Sequence, residues 1–302
     1  MSKLITVFGA TGNQGGSVVK HILADAVLSK EFKIRGITRD TSKPAAQALT
    51  SKGVEMVSAD LNSKDSLTSA LDGSHTVFLV TNYWETANRD IEVTQGKNVA
   101  DIAKQLNVQH LIFSTLLNVT KESGGRLSHV PHFDGKADVE EYIREIGVPA
   151  TFYLPAYFMS NFEQFIKPGE DGVLTVALPV SEGAKFPLVD IKEDTGKFVK
   201  AIIKNRSTLL GAHILGAENY YTSTQVLDQI TETTGKKTKF VQVSEEVYKS
   251  FLPEFMAQEM LENHLFIEKP GYYAGETLDK SHGILEDKLV SWKEFVEKSK
   301  AF

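Results

Sequence analysis

Residues 128–149 read SHVPHFDGKADVEEYIREIGVP, and within them His132 and Lys136 stand four positions apart. An ammonium at that spacing can hold a hydroxyl-rich ligand and lower the pKa of a neighbouring acid, and a phenol is the acid such a lysine best activates. None of the nine tyrosines has a lysine four places on, so the phenol position is taken by the imidazole of His132. Imidazole also exchanges protons near neutrality. Three readings stay open: Lys136 grips a ligand without turnover, Lys136 or His132 acts as acid or base, or both are surface residues. His129 and His132 have no acidic or cysteine partner at ligand spacing, so no metal site is expected.

A second constellation opens the chain. LITVFGATGNQGGSVVKHIL (4–23) is a strand-like run, then Gly9-x-x-Gly12-x-x-Gly15, then a helix-compatible run. Gly9 permits the tight turn, Gly12 lets backbone N–H groups approach a pyrophosphate, and Gly15 lets the helix pack on the strand. The diphosphate then rests on the free N–H groups of a helix N-terminus. At the end of the next strand-like run stands GITRDTSKP (36–44), where a ribose 2′-hydroxyl would call for an acid. Arg39 comes first and Lys43 follows, two cations suited to a 2′-phosphate, which points to NADP(H). Asp40 is the competing ribose acid. Asp60 closes the third strand-like run, as an adenine ligand or as a helix cap.

The elements that must hold these residues alternate. Strand patterns cover 4–8, 32–38, 54–60, 76–82, 110–115 and 150–155, and helix patterns cover roughly 14–28, 42–52, 63–71, 87–106 and 134–146. Ile91, Val99, Ile102, Ala103 and Leu106 supply the core stripe of the fourth helix. Asp134 is expected as N-cap and Gly147 as C-cap of the fifth, which leaves His132 in a loop beside Pro131. This rhythm predicts an α/β fold, a doubly wound parallel Rossmann sheet, with its ligand beyond the carboxyl ends of the strands. Residues 1–155 form the dinucleotide domain, and 156–302 a smaller α-rich lobe that contributes in part to the sheet edge. In the lobe, 172–179, 212–217 and 239–244 read as extended and 190–205 as helix. Pro179 and Pro187 read as loop, and 244–266 as two helices broken at Pro253. Phe251, Phe255, Met256 and Met260 read as core packing. Ser114 is read as a capping hydroxyl. The segment 116–132, with its Gly124-Gly125 pair, is expected to be mobile.

Composition narrows the function. The chain has 302 residues, a net charge of −6 and no cysteine, which excludes disulfides, thiolate metal sites and cysteine nucleophiles. Neither half is basic, so no direct nucleic-acid contact is expected. No apolar run reaches the ~18–20 residues of a membrane span, and the first residues lack a signal-peptide pattern. A cytoplasmic location is expected, with nuclear entry left open.

Five stretches carry a resemblance: VFGATGNQGGSVV (7–19), TRDTSK (38–43), VTNYWE (80–85), HFDGKADVEEYIREIGVP (132–149) and LPAYFMSNF (154–162). Together they resemble the NmrA-like family, an atypical branch of the short-chain dehydrogenase/reductases, and within it the NADPH-sensing group. The resemblance implies bound NADP(H). It puts Gly9, Thr11, Gly12, Asn13, Gln14 and Gly15 at the pyrophosphate and Arg39 and Lys43 at the 2′-phosphate. Asp60 and Leu61 fall near adenine, and Thr81, Asn82 and Tyr83 near the ribose and nicotinamide. Lys136, Tyr157, Phe158, Met159 and Ser160 fall at the nicotinamide end. In the family an acidic residue and an Asn follow the Tyr-Phe pair, where this chain has Met159 and Ser160. The implied function is regulatory: a redox sensor that couples NADPH occupancy to conformation and to a protein partner, with a homodimer left open and no catalytic residue assigned. The alternative is an NADPH-dependent oxidoreductase acting on a quinone or a small aromatic or carbonyl compound.

Overall fold

In the computed structural model, which describes residues 2–302, the strands are β1 (Lys3–Val7), β2 (Phe32–Thr38), β3 (Glu55–Ser58), β4 (Thr76–Leu79), β5 (His110–Ser114), β6 (Ala150–Pro155), β7 (Tyr157–Phe158), β8 (Lys167–Pro168), β9 (Leu174–Leu178), β10 (Lys185–Val189), β11 (His213–Gly216), β12 (Asn219–Thr222) and β13 (Thr238–Gln242). Seven of them form one sheet in the order β11-β6-β5-β4-β1-β2-β3, and every pairing in it is parallel. The order reverses between β1 and β4, which opens a crevice at their carboxyl ends.

Successive residues of a strand face opposite ways, and a parallel sheet buries both faces. Phe78 and Ile112 point to one side, into a core with Val18, Ile22, Phe198 and Ile202. Their neighbours Val77, Leu79, Leu111 and Phe113 point to the other, into a core with Val99, Ile102, Val139 and Ile143. Helices Asn13–Ala24 and Thr195–Lys204 cover the first face, and Arg89–Gln105 and Pro131–Ile146 the second. This is the doubly wound α/β fold that the strand–helix rhythm requires.

The lobe holds more strand than its sequence pattern indicates. β12, β10 and β7 form one small sheet, and β13, β9 and β8 another. Residues 185–189, read as loop because of Pro187, are the central strand β10. The proline is tolerated because β7 pairs only with Leu188 and Val189, so no strand faces Pro187 on that side. β11, from the C-terminal half, returns to the edge of the large sheet beside β6. The break at Pro253 is present, between helices Glu245–Ser250 and Glu254–Glu268. Phe251 and Phe255 are not core: they are 56% and 73% exposed. None of the described helices is long and apolar enough to cross a membrane.

Candidate functional site

The glycine bend follows β1 as expected. Gly9 has φ +62°, a left-handed conformation that favours glycine. Its carbonyl accepts from Gly12 N at 2.8 Å, which closes the turn. A Cβ on Gly15 would lie 2.3 Å from Gly9 O and 2.5 Å from Phe8 O, so only glycine lets the helix start this close to the strand. The helix Asn13–Ala24 has Gly12 at its N-cap and no side chain satisfying its first N–H groups. Thr11, Gly12 and Asn13 are exposed there, open to an anion.

Neighbouring strand ends are tied to this bend. Ala10 N donates to Ile37 O at 3.4 Å. Ser114 Oγ, at the end of β5, donates to Gln14 Oε1 at 2.8 Å, so that hydroxyl orients a residue of the bend rather than capping its own strand. Past β2, Arg39 is 73% exposed at its side chain and forms an ion pair with Glu85 of the VTNYWE stretch. Asp40 Oδ1 accepts from Ser42 N at 2.9 Å and from Ser42 Oγ at 2.6 Å. These bonds hold its carboxyl below the usual carboxylate range and engage that oxygen within its own turn. Lys43 is exposed at the start of helix Pro44–Thr50. Asp60 Oδ1 accepts from Asn62 N at 2.9 Å, shaping the turn after β3, and Leu61 O accepts from Asn98 Nδ2 at 3.0 Å.

Past β4 the site becomes buried and charged. Thr81 is buried, Asn82 is exposed and Tyr83 is buried. Lys136 is no surface residue: its side chain is 13% exposed, and it forms an ion pair with Glu92, itself 1% exposed. Lys136 Nζ also donates to Thr81 Oγ1 at 2.7 Å, and Thr81 Oγ1 donates to Glu92 Oε1 at 2.6 Å. Glu92 comes from helix Arg89–Gln105 and Lys136 from Pro131–Ile146. The two helices approach closely at Gly96, where a Cβ would meet Val139 at 2.6 Å.

His132 lies in the first turn of a helix, not in a loop. The helix begins at Pro131 rather than at Asp134, because proline at its first position presets the helical φ and has no N–H to leave unpaired. Asp134 instead accepts from Thr120 Oγ1 at 2.5 Å and so anchors the segment before the helix. That segment carries its own short helix, Val119–Glu122, and Arg126 donates to Lys269 O at 2.5 Å. The expected free loop at 116–132 is thus a tethered one. Gly147 closes the helix with φ +71°.

Two acids of the lobe complete the site, and the sequence reading did not find them. His132 Nδ1 pairs with Glu259, whose Oε1 also accepts from His132 N at 3.1 Å. Tyr83 Oη donates to Glu259 Oε2 at 3.1 Å. Burial, then the charge of Glu259, pushes the Tyr83 phenol well above its ordinary range. One turn on, Glu262 accepts from His129 N at 2.7 Å. Trp84 is 46% exposed, and its ring lies 5.2 Å from that of His132.

Of the other expected residues, Tyr157 and Met159 are buried, and Phe158 and Ser160 are partly exposed. The Tyr157 ring faces Phe186 at 5.2 Å and His264 at 5.9 Å, within the lobe. At the opposite pole of the sheet a crevice of about 580 Å³ is lined in part by Lys3, Phe32, His75 and His110. It lies at the amino ends of the strands, away from the end where such sheets bind ligands. The described residues contain no cluster of three or more His, Asp or Glu able to hold a metal ion.

A match to the NmrA-like family runs over residues 1–297. The chain belongs to the NmrA-like family. Among its relatives is the NmrA-like family domain-containing oxidoreductase malD of Malbranchea aurantiaca, 31% identical over 258 residues, 80% of this chain and 76% of malD. The negative transcriptional regulator NmrA in complex with NADP superimposes with a TM-score of 0.83 at 21% identity, over 98% of this chain and 95% of NmrA; NmrA has also been solved with NAD. The triphenylmethane reductase of Citrobacter sp. complexed with NADP(H) superimposes with a TM-score of 0.81 at 24% identity, over 97% of this chain and 99% of the reductase.

Proposed function

We propose that this NmrA-like chain is an oxidoreductase that binds a nicotinamide dinucleotide, NADP(H) in preference to NAD(H), and reduces a small apolar carbonyl or quinone compound. One observation carries the reading. The glycine bend follows β1, and past its neighbour β4 come a buried ammonium and imidazole, each held by its own carboxylate. The bend suits a diphosphate, Arg39 and Lys43 suit a 2′-phosphate, and Thr81, Asn82, Tyr83 and Lys136 line the route to the nicotinamide. Asp60 and Leu61 fall to adenine, and Tyr157, Phe158, Met159 and Ser160 to the far wall. The relative malD, named an oxidoreductase, and the NADP(H)-bound Citrobacter reductase support the direction of the proposal. The test pairs calorimetric titration with NADPH and NADH against a turnover screen of quinones and aryl carbonyl compounds. Equal affinities would remove the cofactor preference, and silence across the screen would remove the enzyme.

The regulatory reading keeps second place on a separate observation. Glu259 and Glu262, from one lobe helix, hold His132 and His129, and His132 lies one turn before Lys136 on its helix. A dinucleotide that engages Lys136 would therefore act on the lobe, and through it on a protein partner or a second copy. A shift from 1:99 to 99:1 needs about 5.5 kcal/mol of differential affinity. Reduced proteolysis at Gly124-Gly125, or a change in particle size, with saturating NADPH would favour this reading; no change in either would dismiss it. Both readings suit a cytoplasmic protein.

A further inference from the structure

We infer that His132, positioned by Glu259, is the proton donor of this site, and that its substrate is a flat, apolar carbonyl compound. The inference rests on the oxidoreductase reading above. His132 sits one helical turn before Lys136, about 6 Å along the axis, so a substrate beside a nicotinamide whose ribose is held by Lys136 falls within its reach. Glu259 Oε1 engages both the ring Nδ1 and the backbone N of His132, which fixes the ring and assigns the Nδ1 proton to the carboxylate. A hydrogen bond at one ring nitrogen determines what the other can do. Nε2 has no partner, yet it is not among the polar atoms sealed from solvent. It is the open end of a dyad whose other end is locked.

The competing donors are closed off. Tyr83 donates its hydroxyl hydrogen bond to Glu259, and burial together with that carboxylate's charge keeps the phenol protonated. Lys136 is engaged by Glu92 and Thr81. The walls around Nε2 name the substrate class. Trp84 and Tyr83 set their rings 5.2 Å and 5.8 Å from the imidazole. An exposed indole face beside a polar tip suits a flat apolar body carrying one polar atom.

The step balances. Hydride brings both electrons from the reduced dinucleotide to the carbonyl carbon. The C=O π pair moves to oxygen and takes the Nε2 proton of the imidazolium, giving an alcohol, the oxidised dinucleotide and a neutral ring. Solvent returns a proton to Nε2 while Nδ1–H stays on Glu259.

The test uses the full chain with NADPH and a panel of aryl aldehydes, aryl ketones and quinones. His132→Ala should keep its NADPH dissociation constant within about twofold and lose about a hundredfold or more in kcat, the scale of general acid catalysis. Added imidazole should restore part of that loss, which a structural role would not allow; His132→Asn covers the case in which the alanine variant fails to fold. Glu259→Gln should lose about tenfold and displace the His132 Cε1–H resonance, followed by NMR without cofactor. Undiminished turnover in both His132 variants, or a His132 resonance indifferent to Glu259→Gln, overturns the assignment while leaving the oxidoreductase reading intact. A parent that binds NADPH and reduces nothing on the panel overturns both.

Discussion

Lys136 and Glu92 face each other across two helices, and Thr81 Oγ1 completes the triangle by accepting from Lys136 Nζ at 2.7 Å. The lysine expected to hold a ribose is therefore neutralised by the protein itself, and a ligand hydroxyl must join or displace part of this network. Breaking a buried pair leaves an uncompensated charge, at a cost of about 3–5 kcal/mol, whereas replacing both members with apolar groups is close to neutral. Glu92→Leu should lose stability on that scale in urea unfolding. Lys136→Met combined with Glu92→Leu should recover much of the loss while weakening NADPH binding. If the double variant is no more stable than Glu92→Leu, the two residues are not coupled.

The bend offers a contrast between adjacent glycines. A Cβ on Gly15 would press to 2.3 Å on a backbone carbonyl, while one on Gly16 meets its nearest neighbour, Ala10 O, at 3.4 Å. Gly15→Ala should cost about 1–3 kcal/mol from overpacking, with loss of dinucleotide affinity as the bend shifts. Gly16→Ala should be neutral or up to about 1 kcal/mol stabilising, because alanine is the better helix former. Thermal melting and NADPH calorimetry on the two variants check this. Equal effects would mean that the bend accommodates the intrusion.

In the proposed function, cofactor choice is assigned to Arg39, which is already paired with Glu85. Arg39→Ala and Lys43→Ala should each weaken NADPH binding by about tenfold, the scale of one charge-assisted hydrogen bond, and leave NADH unchanged. Glu85→Gln releases the guanidinium and should tighten NADPH binding at low salt, with a smaller gain as salt screens the charges. An equal effect on both dinucleotides in any of these variants would move the selection elsewhere, with the second oxygen of Asp40 the next residue to examine.

The strands of the first 155 residues were the most legible part of the fold, since β2 and β6 occupy the spans their residue types indicate. β-branched and aromatic runs bounded by turn residues leave little freedom. The glycine bend was legible for the same local reason. Glu92 was not. Its helix buries Glu92, Gly96, Val99 and Ala103, spaced four, three and four apart, whereas Ile91, taken as the first apolar residue of the stripe, is 37% exposed. An acid in phase with an apolar stripe was the available signal. Glu259 and Glu262 gave less warning. Their helix buries Glu259, Leu261, Glu262, Asn263, His264 and Phe266 on several sides at once, so no periodicity marks one face. Which carboxylate meets which histidine follows from how the lobe docks, over more than a hundred residues of separation.

The same lobe helix makes the protein sensitive to acid. His264 is fully buried between Tyr157 and Tyr248, and its Nδ1 lies 2.9 Å from Met260 O. Burial pushes its pKa down to about 4 from the ordinary 6.5, against the raising effect of the Met260 bond. Above pH 6.5 the imidazole is neutral in both the folded and the unfolded chain and contributes no pH dependence. As pH falls below 6.5 the unfolded chain takes up a proton that the folded chain refuses. Stability is therefore lost progressively down to about pH 4, with a slope of at most about 1.4 kcal/mol per unit from this group. In His264→Gln the fall in melting temperature between pH 7 and pH 5 should be smaller than in the parent, whatever the variant's absolute stability. Parallel curves for the two proteins would show that His264 already carries its proton in the folded state.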